Sequence, residues 1–234
     1  MTLRAPADPG ATGWRFPDPD DADGDLIAVG GDLEPATVVA AYRQGLFPMG
    51  LGADGAAPLG WWSPRHRGVL LPGRFHASRS LHRTRRRFRV TVDTAFDDVV
   101  VGCADPRRDG RWITEDIAAA YGRLHGLGWA HSVEVWRGGD LAGGLYGLAV
   151  GGLFAGESMF HRVTDASKVA LEALAAAWFA DGDPRRLIDV QWSTPHLASL
   201  GVVELPRTGY LRALRSAIQV PFVPFATISD GPQR

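Results

Sequence analysis

Three polar side chains sit where a purely structural strand would carry apolar ones. Asp189 and Gln191 lie two apart within Leu187–Trp192 (LIDVQW), and Glu157 is the single carboxylate in Gly152–Phe160 (GLFAGESMF). Side chains alternate across a strand with a period of two. Leu187, Asp189 and Gln191 are therefore expected on one face, with Ile188, Val190 and Trp192 on the other. An acid and an amide on an apolar face can form a buried hydrogen-bonded brace, or they can line a cleft. In a cleft the carboxylate holds a cation or accepts a proton, and the amide orients a carbonyl or an amine.

Competing chemistries lack their residues. Gly156-Glu157-Ser158-Met159-Phe160 begins like a G-x-S-x-G nucleophile elbow, and Ser158, Asp189 and His196 fall in hydrolase order. However, Phe160 stands where the strained turn requires glycine. The seven histidines include no H-x-x-x-H or H-E-x-x-H, and the lone Cys103 leaves no soft-ligand cluster, so no metal site is expected. The glycine pairs at 138–139, 143–144 and 151–152 form neither a dinucleotide fingerprint nor a phosphate loop. They read as turns and as strand positions of close approach.

The elements that must position these residues follow from caps and periodicity. The 152–160 strand leads to a helix that Thr164 or Asp165 caps and that runs to about Phe179, followed by the 187–192 strand. Upstream, residues 1–25 read as irregular. A short strand at Leu26–Val29 precedes a helix over Ala36–Gln44 with Pro35 in its first position. Leu46-Phe47-Pro48 leads into a Gly/Ala loop at Gly50–Ala57, suggesting a small N-terminal domain, residues 1–60. From Trp61 the pattern gives a strand at Val69–Leu71, a basic helix at Ser78–Arg87 and a strand at Phe88–Asp93. A helix at Ala95–Cys103 and one capped by Thr114 come next, then strands at Ser132–Trp136 and Leu141–Val150 joined by glycine turns. After the 187–192 strand come a helical turn from Pro195, a strand at Val202–Leu205 and a helix over Pro206–Ile218. A Pro-rich tail from Val220 is expected to pack as extended chain or to fray. The order predicts an α+β fold with one central, mostly antiparallel sheet.

Length and charge narrow the class. The 234 residues suffice for one large domain or a large one beside a small one. With 45% hydrophobic and 22% charged residues, the chain has the composition of a globular protein. No apolar run reaches the roughly 20 residues a membrane span needs. The N-terminus lacks the apolar core of a secretory signal, and one cysteine fits a reducing compartment, so a cytoplasmic protein is expected. Charge is uneven: residues 65–89 hold nine arginines and no acid. Such a tract is either a solvated basic face or a phosphate-binding surface for nucleic acid. Trp61, Trp62 and Trp112 could stack unpaired bases or belong to the core.

Taken together, several segments resemble the bacterial leucyl/phenylalanyl-tRNA–protein transferases. They are Phe16-Pro17-x-Pro19, Leu26-x-Ala28-x-Gly30-Gly31-Asp32-Leu33, Gly45-Leu46-Phe47-Pro48 and Trp61-Trp62-Ser63-Pro64. Trp112-Ile113-Thr114, His131 to Trp136, Gly143-Gly144-x-Tyr146-Gly147, Gly156 to Phe160, Ala166-Ser167-Lys168 and Leu187-Ile188-Asp189-x-Gln191 continue the match in order. Departures from the usual residues occur at Met49-Gly50, Leu145 and Thr194-Pro195-His196-Leu197. The resemblance implies transfer of leucine or phenylalanine, with methionine a further candidate donor, from aminoacyl-tRNA to proteins with N-terminal Arg or Lys, marking them for degradation. It implies a GNAT-like domain over residues 61–234 and a monomer that needs no cofactor. It assigns Asp189 and Gln191 to catalysis, with Asp189 accepting the amine's proton and Gln191 orienting amine or carbonyl. Glu157 and Ser158 would lie beside the substrate, Trp112 against the terminal adenine, and Leu145, Phe154, Met159, Leu171, Leu174 and Trp178 around the donor side chain. For the three helical residues simple core packing is the alternative. Arg79, Arg83, Arg85, Arg86, Arg87 and Lys168 would hold the tRNA phosphates. An acyl-CoA N-acetyltransferase of the same fold would need a Gly-rich amide-donating turn that His161 to Ala166 lacks. An RNA-binding module would explain the arginines but not Asp189 with Glu157.

Overall fold

The computed structural model describes residues 5–108 and 110–222. The N-terminal part contains β1 (Leu26–Val29), α1 (Pro35–Arg43), β2 (Phe47–Gly50) and β3 (Leu59–Trp62). Its three strands form an antiparallel sheet in the order β1-β3-β2. Pro35 opens α1, where its missing N–H forfeits no helical bond. The Phe47–Gly50 segment, expected only as the approach to a loop, pairs with β3, and Pro48 is tolerated because β2 is an edge strand.

The rest of the chain supplies β4 (His66–Leu70), α2 (Arg79–Arg85), β5 (Arg89–Val92), α3 (Phe96–Cys103), α4 (Glu115–Gly126), β6 (Ala130–Arg137) and β7 (Asp140–Val150). β8 (Leu153–His161), α5 (Ala166–Trp178), β9 (Leu187–Gln191), α6 (Pro195–Ser199), β10 (Val203–Pro206) and α7 (Arg207–Ala217) follow. The seven strands are ordered β10-β4-β9-β8-β7-β6-β5. Every neighbouring pair is antiparallel except β8 and β9, which α5 joins in parallel. The fold is thus α+β with antiparallel-dominated sheets and a small N-terminal part. The Thr114 cap holds where the sequence placed it, its hydroxyl accepting the Ile117 amide proton, and Ser78 and Thr194 cap α2 and α6 in the same way through Leu81 and Leu197, whereas the side-chain cap expected from Thr164 or Asp165 does not form. Asp165 ends the approach to α5 in a left-handed conformation, and its side chain pairs with Lys168 rather than with the backbone.

Two cores flank the large sheet. Leu171, Leu174 and Trp178 of α5 pack with Phe154 and Ile188 on one face. On the other, Val99, Tyr121, Tyr146, Leu153, Leu187 and Tyr210 form a core that continues into Val38, Tyr42, Leu46, Phe47 and Trp61. The small sheet is therefore packed on the large one through shared apolar contacts. Among the described residues no helix is long and apolar enough to cross a membrane. The Pro-rich tail beyond Phe222, on which the expectation of an extended or fraying end falls, lies outside the described residues.

Candidate active site

The parallel pairing of β8 and β9 is short. It joins Leu153 to Leu187, Phe154 to Ile188 and Ala155 to Asp189, and then stops. Each strand carries one extra residue just beyond that point. On β8, Gly156 lies opposite Gly147 and Ser158 opposite Tyr146, which leaves Glu157 without a partner; on β9, Asp189 faces Val69 and Gln191 faces Gly68, which leaves Val190 unmatched. Such bulges bend a strand and re-aim its side chains. Here they open a cavity of about 490 Å³, its solvent mouth included, between the strands and α5.

Leu145, Met159, Leu171 and Leu174 line this cavity, and Ile188, Val190 and Leu197 complete its apolar wall. Gly156, Glu157, Ser158 and Gln191 supply the rest. Phe154 and Trp178 lie elsewhere. Both are buried in the core below the split, with ring centroids 5.6 Å apart, and the Trp178 indole N–H donates to the carbonyls of Gly152 and Leu187 at 3.2 Å. Phe154 belongs to the closed part of the ladder, so its side chain packs instead of facing open space. Trp112 sits in the loop before α4, half-buried against the core shared with the small sheet and off the cavity wall.

Asp189 and Gln191 are held together but do different things. Asp189 is fully buried and is not on the cavity wall. Arg67 Nε donates to its Oδ1 at 2.8 Å and Nη2 to its Oδ2 at 2.7 Å, while the Tyr210 hydroxyl donates to Oδ2 at 2.8 Å. The remaining site on Oδ1 accepts the Gln191 backbone N–H at 2.9 Å. Burial opposes the Arg67 charge, yet the Asp189 carboxylate outweighs it and raises the guanidinium pKa above its ordinary value. Gln191 has φ +58, and the Trp192 N–H closes a tight turn onto the Val190 carbonyl at 2.8 Å. A side chain held at positive φ is strained unless its surroundings fix it, and Asp189 does so here. The strict alternation of LIDVQW therefore ends at Asp189: the turn swings Gln191 onto the cavity wall with Ile188 and Val190. Its Nε2 has no hydrogen-bond partner among the described residues.

Glu157 is 8% exposed and borders the same cavity. The Tyr42 hydroxyl donates to its Oε1 at 2.6 Å, and the Tyr121 hydroxyl lies 2.6 Å from that of Tyr42. Burial pushes the Glu157 carboxyl up to about 8 even though both tyrosines favour its charged form. Neither tyrosine stood out in the sequence. The one available signal was Tyr42 itself, a polar ring on a helix otherwise built mainly of Ala and Val.

The basic tract divides. Arg79, Arg83, Arg85, Arg86 and Arg87 are exposed on and just after α2. That helix packs on α5, which also supplies Leu171 and Leu174 to the cavity wall. Arg85 is anchored to Glu172 of α5 at 3.6 Å. Arg67, from the same tract, is the buried partner of Asp189. Lys168 is half-buried and bonded to Asp165 at 2.8 Å.

An apolar side-chain cavity bordered by one carboxylate and one amide, in a split between parallel strands, has the lining that a group-transfer site requires. The comparisons place it further. Residues 69–215 match the family described as leucyl/phenylalanyl-tRNA protein transferase, and residues 31–65 match its N-terminal domain. The chain is 50% identical over 205 residues to the leucyl/phenylalanyl-tRNA–protein transferase of Pectobacterium atrosepticum, covering 86% of each chain. It is 48% identical to that of Salmonella newport over 211 residues, 88% of each, and 48% identical to that of Citrobacter koseri over 209 residues, 87% of each. The chain belongs to the leucyl/phenylalanyl-tRNA–protein transferase family.

Proposed function

We propose that the protein moves leucine or phenylalanine from aminoacyl-tRNA to the amino-terminal Arg or Lys of an acceptor protein, forming a peptide bond and a new apolar N-terminus that marks the acceptor for degradation. One observation carries this reading: the cavity wall is apolar over most of its area, with Glu157 and Gln191 at its polar edge, in a chain of this family. Such a wall accepts a Leu or Phe side chain and rejects charged ones, while closely similar apolar donors differ by only about 1–3 kcal/mol per methylene.

The reaction is the aminolysis of an activated ester, so binding and orientation can supply most of the acceleration. An N-terminal amine titrates near 7.7–8.0, and a useful fraction of it is neutral at physiological pH. The unpartnered Gln191 amide is placed to orient the reacting carbonyl or the amine. Asp189 acts as a positioning residue from behind the wall, through the Gln191 backbone and its pair with Arg67. The exposed arginines of α2 would hold acceptor-stem phosphates against the helix that forms the cavity, and Trp112 would stack on the terminal adenine. The splayed parallel pair supports a GNAT-like plan for the larger domain, expected over residues 61–234, after the small domain expected at 1–60, with Trp61 and Trp62 still paired in the small sheet as the end of β3.

The test combines purified protein, leucyl-tRNA and a peptide beginning with Arg, with no added cofactor. The expected product is the peptide lengthened by one leucine, read by mass. Retention of tRNA on a filter without any lengthened peptide would overturn the reading in favour of a binding module.

A further inference from the structure

We propose that Glu157 is the acid–base residue of the transfer, taking the proton that the attacking amine sheds and returning it to the departing ribose oxygen. The proposal rests on the transferase reading and adds a residue role to it.

The geometry removes the competing carboxylate. Asp189 is completely buried, both of its oxygens are engaged by Arg67, Tyr210 and the Gln191 amide, and it is not on the cavity wall. Glu157 is the carboxylate that borders the cavity, and the bulge on β8 is what turns it there. Its Oε1 is fixed by the Tyr42 hydroxyl, which is in turn fixed by Tyr121, so the carboxyl is held in one place while it changes charge.

The step balances without any further reactant. The neutral amine nitrogen attacks the ester carbonyl carbon, and the N–C bond forms. The nitrogen then loses one proton to the Glu157 carboxylate. As the bond from the carbonyl carbon to the ribose oxygen breaks, the Glu157 carboxylic acid delivers that proton to the leaving oxygen, and the carboxylate is regenerated.

Proton transfer by a side chain is most effective when its affinity lies near that of the groups it serves and near the working pH. Burial lifts the Glu157 carboxyl to about 8, the range of an N-terminal amine. The groups that act on it come from five elements: Tyr42 on α1 and Tyr121 on α4 bond it, Tyr146 on β7 lies in its field, and the Asp189–Arg67 pair on β9 and β4 lies beyond. Both tyrosine hydroxyls favour the carboxylate and Asp189 favours the acid. Removing the Tyr42 hydroxyl must therefore move the Glu157 titration upward.

Single-turnover transfer from leucyl-tRNA to an Arg-initiated peptide between pH 6 and 9.5 tests this. Glu157→Gln should lose about 100-fold or more in the transfer step, within the usual range for general acid–base groups, while its affinity for aminoacyl-tRNA stays within threefold of wild type. Tyr42→Phe should shift the midpoint of the rate profile to higher pH; the amine's own titration is common to both proteins and cannot produce that shift. Transfer by Glu157→Gln within tenfold of wild type, or a Tyr42→Phe midpoint coincident with wild type, would overturn the role of Glu157 alone. A wild-type protein that transfers nothing would overturn the transferase reading itself.

Discussion

Replacing Asp189 by Asn should cost the protein a large part of its stability before any effect on chemistry is considered. Asp189 and Arg67 both have side chains with 0% exposure, and they meet through Nε and Nη2 at 2.8 and 2.7 Å. Asparagine preserves the shape, but its one oxygen can accept either from Tyr210 or from the Gln191 amide and not from both, and the guanidinium keeps its full charge with no counter-charge. Removing one partner of a buried pair typically costs about 3–5 kcal/mol, because the survivor is an uncompensated buried ion. A domain's whole stability is about 5–15 kcal/mol. With a denaturant slope of about 3 kcal/mol per molar urea, the unfolding midpoint should fall by roughly 1–1.7 M. Urea titration followed by tryptophan fluorescence at pH 7.5 measures it. The double replacement Arg67→Met with Asp189→Leu should recover part of the loss, since it removes the unpaired charge, although the Tyr210 hydroxyl and the Gln191 N–H still lose their acceptor. A single Asp189→Asn variant within about 1 kcal/mol of wild type would refute the assignment of a buried, mutually dependent pair. Transfer rates of this variant need normalising to the folded fraction, or a stability effect will be read as a catalytic one.

Other outcomes follow from the same geometry. Because the folded Glu157 carboxyl titrates near 8 rather than 4.5, the native state keeps a proton that the unfolded chain sheds in between, so wild type should lose stability as pH rises across that window, by at most about 5 kcal/mol. Glu157→Gln should abolish the decline, and equal slopes in urea midpoints at pH 5 and 8.5 would contradict it. A Cβ at Gly156 would come no nearer than 3.6 Å to the Asp189 carbonyl, so Gly156→Ala should fold normally yet shrink the cavity; phenylalanine transfer should fall more than leucine transfer in competition assays. By contrast Gly102→Ala would press into the buried Phe160 ring at 2.5–2.7 Å and should lower stability by about 1–3 kcal/mol in thermal melts. Changing exposed Arg83, Arg86 and Arg87 to Ala should reduce the salt dependence of tRNA binding by about 0.7–0.9 for each phosphate no longer neutralised. An unchanged slope would return α2 to a solvated face.

Much of the architecture was readable because its signals are local. The Thr114 cap, the glycine turns around Leu141–Val150 and the β8–α5–β9 order all depend on neighbouring residues and appear where periodicity placed them. What the sequence hid depends on contacts across long stretches. Arg67 looks like any other arginine of its tract, and only the pairing of β4 with β9 reveals that it is buried against Asp189. Alternation put Gln191 on the face of Asp189, but a bulge at Val190 and a positive φ at Gln191 turned it into the cavity. A bulge adds one residue to one strand and leaves no compositional mark. Phe154 and Trp178 share the apolar character of the true wall residues; they are core because the ladder is still closed at their level. Tyr42 lies 115 residues from Glu157, beyond the reach of any local pattern.

The polar layer behind the cavity draws on almost the full length of the chain. Tyr42 comes from α1, Arg67 from β4, Asp189 from β9 and Tyr210 from α7, the last described helix, whose Arg207 also grips the backbone carbonyls of Pro19 and Ala22. During synthesis, a ribosome exposes these groups one after another, and Asp189 reaches its aqueous surroundings before Tyr210 does. The layer can close only once α7 has cleared the exit tunnel. A nascent chain therefore stays without an assembled site while it is surrounded by the charged tRNA that the finished protein would consume.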